Sequence, residues 1–409
     1  MTTPRLARRL KTPDAVLVGL GAMIGAGVFA GFAPAARAAG GWLLAALAVA
    51  AVVAYCNATS SARLAALYPE SGGTYVYGRR RLGDLWGYLA GWGFVIGKTA
   101  SCAAMALTFG AYAFPGHERV TALAAVAAVT ALNLFGVRKS ALATRIVVGL
   151  VVAVLTAVAV AGVTGPHAPS GGGPEVSGWG VLQAAGLLFF AFAGYARIAT
   201  LGEEVEEPAR TIPRAIPIAL GITLVVYTAV AIAALTALGP ARLAASTAPL
   251  ADVVQAAGAG RLAPVVRAGA AVAALGALLT LVLGVSRTVF AMARDRHLPH
   301  VLSAVHPGRR NPHRAEAVVG LAVLLLVLFV DLRGAIGFSS FGVLVYYAIA
   351  NASAFTLESA RRLVPVVGLL GCLVLAATLP LPSVLWGLAM FAVGAGVWLI
   401  RRRGGARTA

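Results

Sequence analysis

Long apolar blocks follow one another along all 409 residues, and nothing else limits this chain's folding so tightly. A hydrocarbon layer about 30 Å thick asks for about 20 apolar residues per crossing helix. It holds no water, so each crossing must satisfy its own N–H and C=O groups. Five such blocks fill the first half: Asp14–Arg37, Gly41–Ala66, Asp84–Phe114, His117–Phe135 and Ser140–Val163. Seven follow: Trp179–Gly202, Pro213–Leu238, Leu262–Ala293, Glu316–Leu332, Gly337–Thr356, Pro365–Leu379 and Pro382–Ile400. The expectation is an all-α polytopic membrane protein of 12 transmembrane helices forming one membrane domain over residues 1–409. Composition agrees, with 60% hydrophobic and 11% charged residues, where a soluble domain carries about 25% charged. The basic residues Arg5, Arg8, Arg9 and Lys11 imitate a signal peptide. The apolar run after them is too long and lacks a small-residue cleavage site, so it is read as an uncleaved first span.

The formal charge of +19 then has a topological meaning. An even number of crossings puts both termini on one side, and arginine and lysine mark the cytoplasm. Arg63, Arg79–Arg81, Arg138, Lys139, Arg145, the Arg287–Arg314 loop, Arg361, Arg362 and the Arg401–Arg403 tail share the face of the N-terminus. Both termini are therefore expected in the cytoplasm of a cell with this protein in its inner membrane. The excess of Arg over Lys and the abundance of Ala suit a GC-rich bacterial genome. No basic patch with interleaved aromatics stands outside the apolar blocks, so nucleic acid is not an expected partner. Cys56, Cys102 and Cys372 offer neither a disulfide framework nor metal spacing. His297, His300, His306 and His313 share a loop at irregular spacing without acidic or thiol partners, so no metal or cofactor is expected.

One apolar block is oddly built. "GLGAMIGAGVFAG" (Gly19–Gly31) carries five glycines where the backbone most needs regular helix. It is not a phosphate loop, because Ala26 and Gly27 stand where Lys and Ser or Thr should follow, nor a dinucleotide fingerprint, because Ile24 replaces the third glycine. Two readings stay open. Gly21 with Gly25, and Gly27 with Gly31, are spaced to let a neighbouring helix come close. Alternatively, the helix is broken at the bilayer midplane, and its freed amides and carbonyls bind a solute with one anionic and one cationic end. Amides opening the second half-helix favour a carboxylate, and freed carbonyls suit an ammonium. A broken helix of this kind should recur in an inverted repeat. The sixth span carries "LLFFAFAGYARIAT", with Phe189, Phe190, Phe192 and Tyr195 around Gly194. Spans 1–5 (14–163) start inside and spans 6–10 (179–356) start outside, so the two sets have opposite topology. Spans 11 and 12 (365–400) lie beyond the repeat.

At these residues the chain resembles the amino acid-polyamine-organocation family of permeases over nearly its whole length. "PESGGTYVYGRRRLGD" (Pro69–Asp84) is similar to that family's first cytoplasmic loop, and "FFAFAGYARIATLGEEVEEPARTIPRAIP" (Phe189–Pro217) to its helix 6 and following loop. "SRTVFAMARDRHLP" (Ser286–Pro299) is similar to its helix 8 exit. The resemblance implies a leucine-transporter-type 5+5 inverted repeat with broken helices 1 and 6. It also implies secondary active transport of amino acids by alternating access. On that basis the substrate carboxylate would meet the backbone of Gly25, Ala26 and Gly27, and the ammonium would meet carbonyls near Met23, Ile24, Phe189 and Phe192. Phe189 or Phe192 would serve as a thin gate beside Gly194.

Departures from the family pattern shape the rest. Many relatives place an aspartate after the Gly-aromatic pair, whereas Ala196 and Arg197 follow Gly194–Tyr195 here. Acidic residues sit at span ends and in loops, while Lys98 and Arg197 are the deep charges. Lys98 lies about 21 Å along its span, near the midplane, where a charge is costly unless paired. Two cations disfavour cationic cargo, so neutral amino acids are expected, with protons coupled through Lys98. Some relatives carry a coupling lysine in helix 5, where this chain has only Arg145. Arg197, Glu203 and Glu204 stand at the cytoplasmic mouth as a charged loop or inner gate. An obligatory exchanger or exporter shares this logic. A membrane enzyme would need a nucleophile or metal cluster within the spans, and none is spaced for it. A scaffold or sensor would not need two broken helices.

Overall fold

In the computed structural model the described residues are 10–69, 72–135, 141–168, 177–199, 205–309, 311–358 and 362–405. Helices dominate throughout, and among the described residues the one β-type pairing is an isolated bridge between Leu10 and Val205. The first apolar block becomes α1 (Thr12–Met23), α2 (Ala26–Ala30) and α3 (Phe32–Ala39). Next come α4 (Leu43–Leu67), the short α5 (Thr74–Leu82), α6 (Asp84–Ala113), α7 (Glu118–Leu134) and α8 (Ala141–Thr164). The second half holds α9 (Gly178–Phe192), α10 (Ala196–Ala199), α11 (Pro208–Ala245), α12 (Pro249–Ala256) and α13 (Ala263–Arg294). It closes with α14 (His313–Phe329), α15 (Leu332–Phe355), α16 (Leu363–Thr378) and α17 (Leu381–Gly405).

Nine stretches of the described residues are long and apolar enough to cross a membrane. The fourth, ninth and eleventh expected spans are the shorter ones, with 17 residues in α7, 17 in α14 and 16 in α16. At 1.5 Å per residue these reach about 25 Å, so their flanks must complete any crossing. Capping follows sequence: the Ser177 hydroxyl accepts from the Gly180 amide at 3.1 Å at the head of α9, and Asp331 accepts from Gly334 at 2.9 Å before α15. Asp14 pairs with Arg145 at 2.6 Å, joining α1 to α8.

Three connections differ from the sequence reading. The Ala-rich stretch Gly239–Gly260, expected as a loop, contains α12, which begins at Pro249, a residue suited to a first turn. Span 7 starts at Pro208 instead of Pro213; its regular helix stops at Leu238 as expected, because Gly239 takes φ +70° and ψ 165°, which only glycine adopts easily, and a short helical piece follows from Pro240. The stretch Pro69–Asp84, likened above to a cytoplasmic loop, is partly helical, with α5 starting at Thr74. The polar stretch 165–178 falls largely outside the described residues.

Close approach of backbones sets the core. A Cβ on Gly342 of α15 would lie 3.0 Å from the Gly93 carbonyl and 3.1 Å from the Gly97 Cα of α6. Beside that crossing the Ser101 and Ser339 hydroxyls bond at 2.6 Å. Asn351 links α15 to α4 through Asn57 (2.6 Å) and Ser60 (2.7 Å). Glu316, an end-of-span acid by sequence, is fully buried in the first turn of α14 and accepts from Asn311 at 2.9 Å. At the arginine-rich end, Asp295 takes the Tyr75 hydroxyl at 2.7 Å and the Arg79 guanidinium at 2.8 Å. Burial and that carboxylate hold the Tyr75 phenol well above its ordinary pKa, so it remains a donor. We expect Gly342→Val to lower stability by about 1–3 kcal/mol through overpacking. Thermal melting in detergent would read it, and an unchanged midpoint would mean α6 and α15 do not cross this closely.

Candidate functional site

The first block is interrupted at one place. α1 ends at Met23, Ile24 leaves helical geometry (φ −80°, ψ 48°), and Gly25 takes φ −106° and ψ −139°. The Ile24 amide still donates to the Leu20 carbonyl at 2.7 Å, so the helix is intact up to that point. Helix resumes at Ala26, and Gly31 keeps helical angles (φ −74°, ψ −26°), so α2 and α3 form one half-helix in two pieces. A new helix leaves its first amides without partners inside it, which places those of Gly25, Ala26 and Gly27 at the interruption.

The sixth block behaves differently. Its expected break is a tightened 3₁₀ turn over Ala193–Tyr195, with the Ala193 amide still bonded to the Phe189 carbonyl. The two expected breaks thus take different forms, an interruption in the first block and a change of helical type in the sixth. Phe189 and Phe192 are wholly buried, and their packing holds the backbone helical up to the turn. Phe189 meets the Tyr347 ring edge-on at 5.8 Å, and Phe192 lies 5.1 Å from the Tyr227 ring, so neither faces lipid.

The two discontinuities touch. Any side chain on Gly194 would strike the Ala22 carbonyl, so the turn of the sixth block lies directly on the end of α1. A Cβ on Gly27 would come within 2.6 Å of the Ala191 Cα, and one on Gly25 within 2.9 Å of Ala277 in α13. The glycines therefore serve both open readings at once: they admit neighbours, and the chain breaks among them.

Two side chains from other helices reach the exposed carbonyls. The Tyr227 hydroxyl of α11 sits 2.6 Å from the Met23 carbonyl and 3.0 Å from that of Ala191, its single proton shared between them. Lys98, buried in α6, donates from Nζ to the Ala193 carbonyl at 3.3 Å. The lysine singled out within its apolar span thus touches the turn of the sixth block. Farther along α6, Tyr112 donates to the Phe29 carbonyl at 3.0 Å and pins α2.

Met23 and Ile24 are buried at the interruption. Arg197 is half-buried in α10, and Glu203 and Glu204 lie outside the described residues. Beyond the turn, Tyr195 packs on Tyr347 (5.0 Å) and Tyr347 on Tyr346 (5.1 Å). The Tyr346 hydroxyl accepts from the Thr74 amide at 3.0 Å, so a tyrosine column leads from the turn to α5. Sequence reasoning passed over Tyr227 and Tyr112. The available signal was a tyrosine inside an apolar run, whose hydroxyl needs a buried partner.

A helical membrane bundle whose interrupted helix lies against a tightened turn, with a lysine and a tyrosine on the loosened carbonyls, is the architecture of a solute carrier. Residues 10–405 match the family model described as amino acid permease, and the chain belongs to that family and so to the permeases its motifs resemble. It is 64% identical over 404 residues to a Mycobacterium tuberculosis protein described as an uncharacterized transporter, covering 97% of this chain and 92% of that one. It is 30% identical to the branched-chain amino acid permease BcaP of Bacillus subtilis, over 88% of this chain and 83% of that one. Identity to human cationic amino acid transporter 4 is 28%, over 86% of this chain and 60% of the relative. The protein is an amino acid transporter and a multi-pass membrane protein.

Tyr227→Phe leaves the Met23 and Ala191 carbonyls without their shared donor. A buried group left unpaired costs about 1–3 kcal/mol, and we expect a loss of that size in detergent melting. A variant as stable as the parent would mean the hydroxyl does not hold the interruption.

Proposed function

We propose that the chain moves neutral amino acids across the bacterial cell membrane by alternating access, driven by protons, with twelve crossings arranged as a 5+5 inverted repeat plus two helices. Both termini lie in the cytoplasm on this reading. The observation that carries it is the Lys98 contact with the Ala193 carbonyl, a buried cation on the discontinuity that the substrate would share.

The substrate carboxylate takes the amides of Gly25, Ala26 and Gly27, where the half-helix dipole favours negative charge. The ammonium takes carbonyls around Met23, Ile24, Phe189 and Phe192. Because the Tyr227 hydroxyl already donates to Met23, the ammonium exchanges with that proton as it enters. Phe192, packed on Tyr227, moves with it and acts as the thin gate, with Phe189 as the neighbouring wall. A second ammonium or guanidinium on the substrate side chain would approach Lys98 and be repelled, which selects neutral cargo. Lys98 holds the turn of the sixth block while protonated and releases the Ala193 carbonyl on losing its proton, so proton movement changes the contact between the blocks. The tyrosine column from Tyr195 to Tyr346 closes the cytoplasmic side, and Arg197, Glu203 and Glu204 form its mouth.

Uptake of labelled neutral amino acids into proteoliposomes without internal amino acid tests this. An inward proton gradient should drive accumulation, labelled lysine should be poorly taken up, and Lys98→Met should abolish accumulation while leaving exchange between loaded vesicles measurable. Uptake that needs internal amino acid in the wild type, whatever the gradient, would replace symport with obligatory exchange. Gly25→Leu and Gly27→Leu should each remove uptake and exchange together.

A further inference from the structure

A basic recess of about 600 Å³ opens at the arginine-rich end of the bundle, apart from the site above. It forms where α17 runs out beside the start of α6 and the end of α13, and its walls include Asp84, Trp86, Arg296, Trp398, Arg401 and Arg402. Its one carboxylate is already occupied. Asp84 sits 3.3 Å from the Arg79 guanidinium, 3.4 Å from His297 Nε2 and 3.5 Å from the Trp398 indole nitrogen.

Two of the three arginine side chains have partners, neither of them anionic. Arg401 donates to the Arg296 carbonyl at 2.8 Å, and the Arg402 guanidinium lies 5.2 Å from the centre of the Trp398 ring. Arg296 itself adopts a left-handed backbone (φ +61°) that turns the chain at the end of α13. Among the described residues none of the three pairs with a carboxylate. Like charges gathered in one recess repel, and an anion between them relieves that repulsion.

The surroundings say which anion. Trp86 is 48% exposed, and tryptophans with one apolar and one polar edge settle at the boundary between hydrocarbon and water. The last turns of α17 before the arginines expose Leu399 and Ile400, so the recess sits directly above an apolar, lipid-facing surface. α17 is also the least buried of the nine long apolar stretches, at 22%, and depends on what covers it. We propose that this recess binds the headgroup of an anionic phospholipid, with the phosphate on Arg296, Arg401 and Arg402 and the acyl chains along α17. Arginine forks match phosphate oxygens, and basic pockets between spans at the membrane surface suit such headgroups. The bound lipid fastens α17 to the junction of α6 and α13. This holds whichever solute is carried.

Native mass spectrometry of the full-length protein in mild detergent tests the assignment, with phosphatidylglycerol, phosphatidylcholine or inorganic phosphate added in parallel. The wild type should retain phosphatidylglycerol well above phosphatidylcholine and show no comparable retention of phosphate. The triple variant Arg296→Gln, Arg401→Gln, Arg402→Gln should bind phosphatidylglycerol about tenfold to a hundredfold more weakly. The matching triple lysine variant should keep much of the binding, and Arg242→Gln with Arg261→Gln, elsewhere on the chain, should change nothing. Equal retention of the two lipids, undiminished binding by the glutamine variant, or phosphate binding as tight as the lipid's would each overturn the proposal. The lipid preference of the wild type decides the matter even where the glutamine variant fails to fold.

Discussion

A backbone that must satisfy its own polar groups in hydrocarbon governs this structure, and the interruption at Ile24–Gly25 is where the rule is strained. Each peptide group left without a partner there costs several kcal/mol, so an interrupted helix persists only when other elements supply partners. Tyr227 and Lys98 do so from two different helices, one on the carbonyls of Met23 and Ala191 and the other on that of Ala193. The half-helix beyond is fixed through Tyr112. Removing any of these donors loosens the junction itself, and on the proposed reading binding and stability are coupled at the same atoms.

Close approach is the second requirement. Gly194 lies on the backbone of Ala22, Gly27 on Ala191 and Gly25 on Ala277, so the two discontinuities and α13 meet without intervening side chains. That geometry makes the junction movable as well as tight. On the proposed reading a tyrosine proton and a lysine contact are exchanged for those of the substrate, while a bulky side chain at any of the three glycines would wedge the blocks apart. The tyrosine column and the Tyr75–Arg79–Asp295 network lie on the arginine-rich side of this junction. Rearrangement at the junction is therefore felt by the contacts that close that side.

Much of this was legible in the sequence. The apolar blocks appear as helices in order, the glycine stretch marks the interruption within a residue or two, and Lys98, singled out by its place within an apolar span, is buried. Connections were less legible: α12 is only eight residues long and lies in an Ala-rich stretch between two spans, while Gly239 and Pro240 do mark the place where the seventh span leaves helical geometry. Tyr227 was overlooked for a related reason. A tyrosine in an apolar run declares that it needs a partner, but not which carbonyl it will find.

The sequence by itself determined the solvent, the helical class and the place where the first helix breaks, because hydropathy, helical period and glycine act over a few neighbouring residues. Only the tertiary structure decided that the sixth block tightens into a 3₁₀ turn instead of opening, since that depends on Phe189 and Phe192 packing against Tyr347 and Tyr227, far away in the chain. Likewise, composition counts the arginines, but the recess between α6, α13 and α17 exists only once three distant segments converge. Contacts across 36 to 204 residues leave no periodic trace in one sequence, and these contacts set the junction.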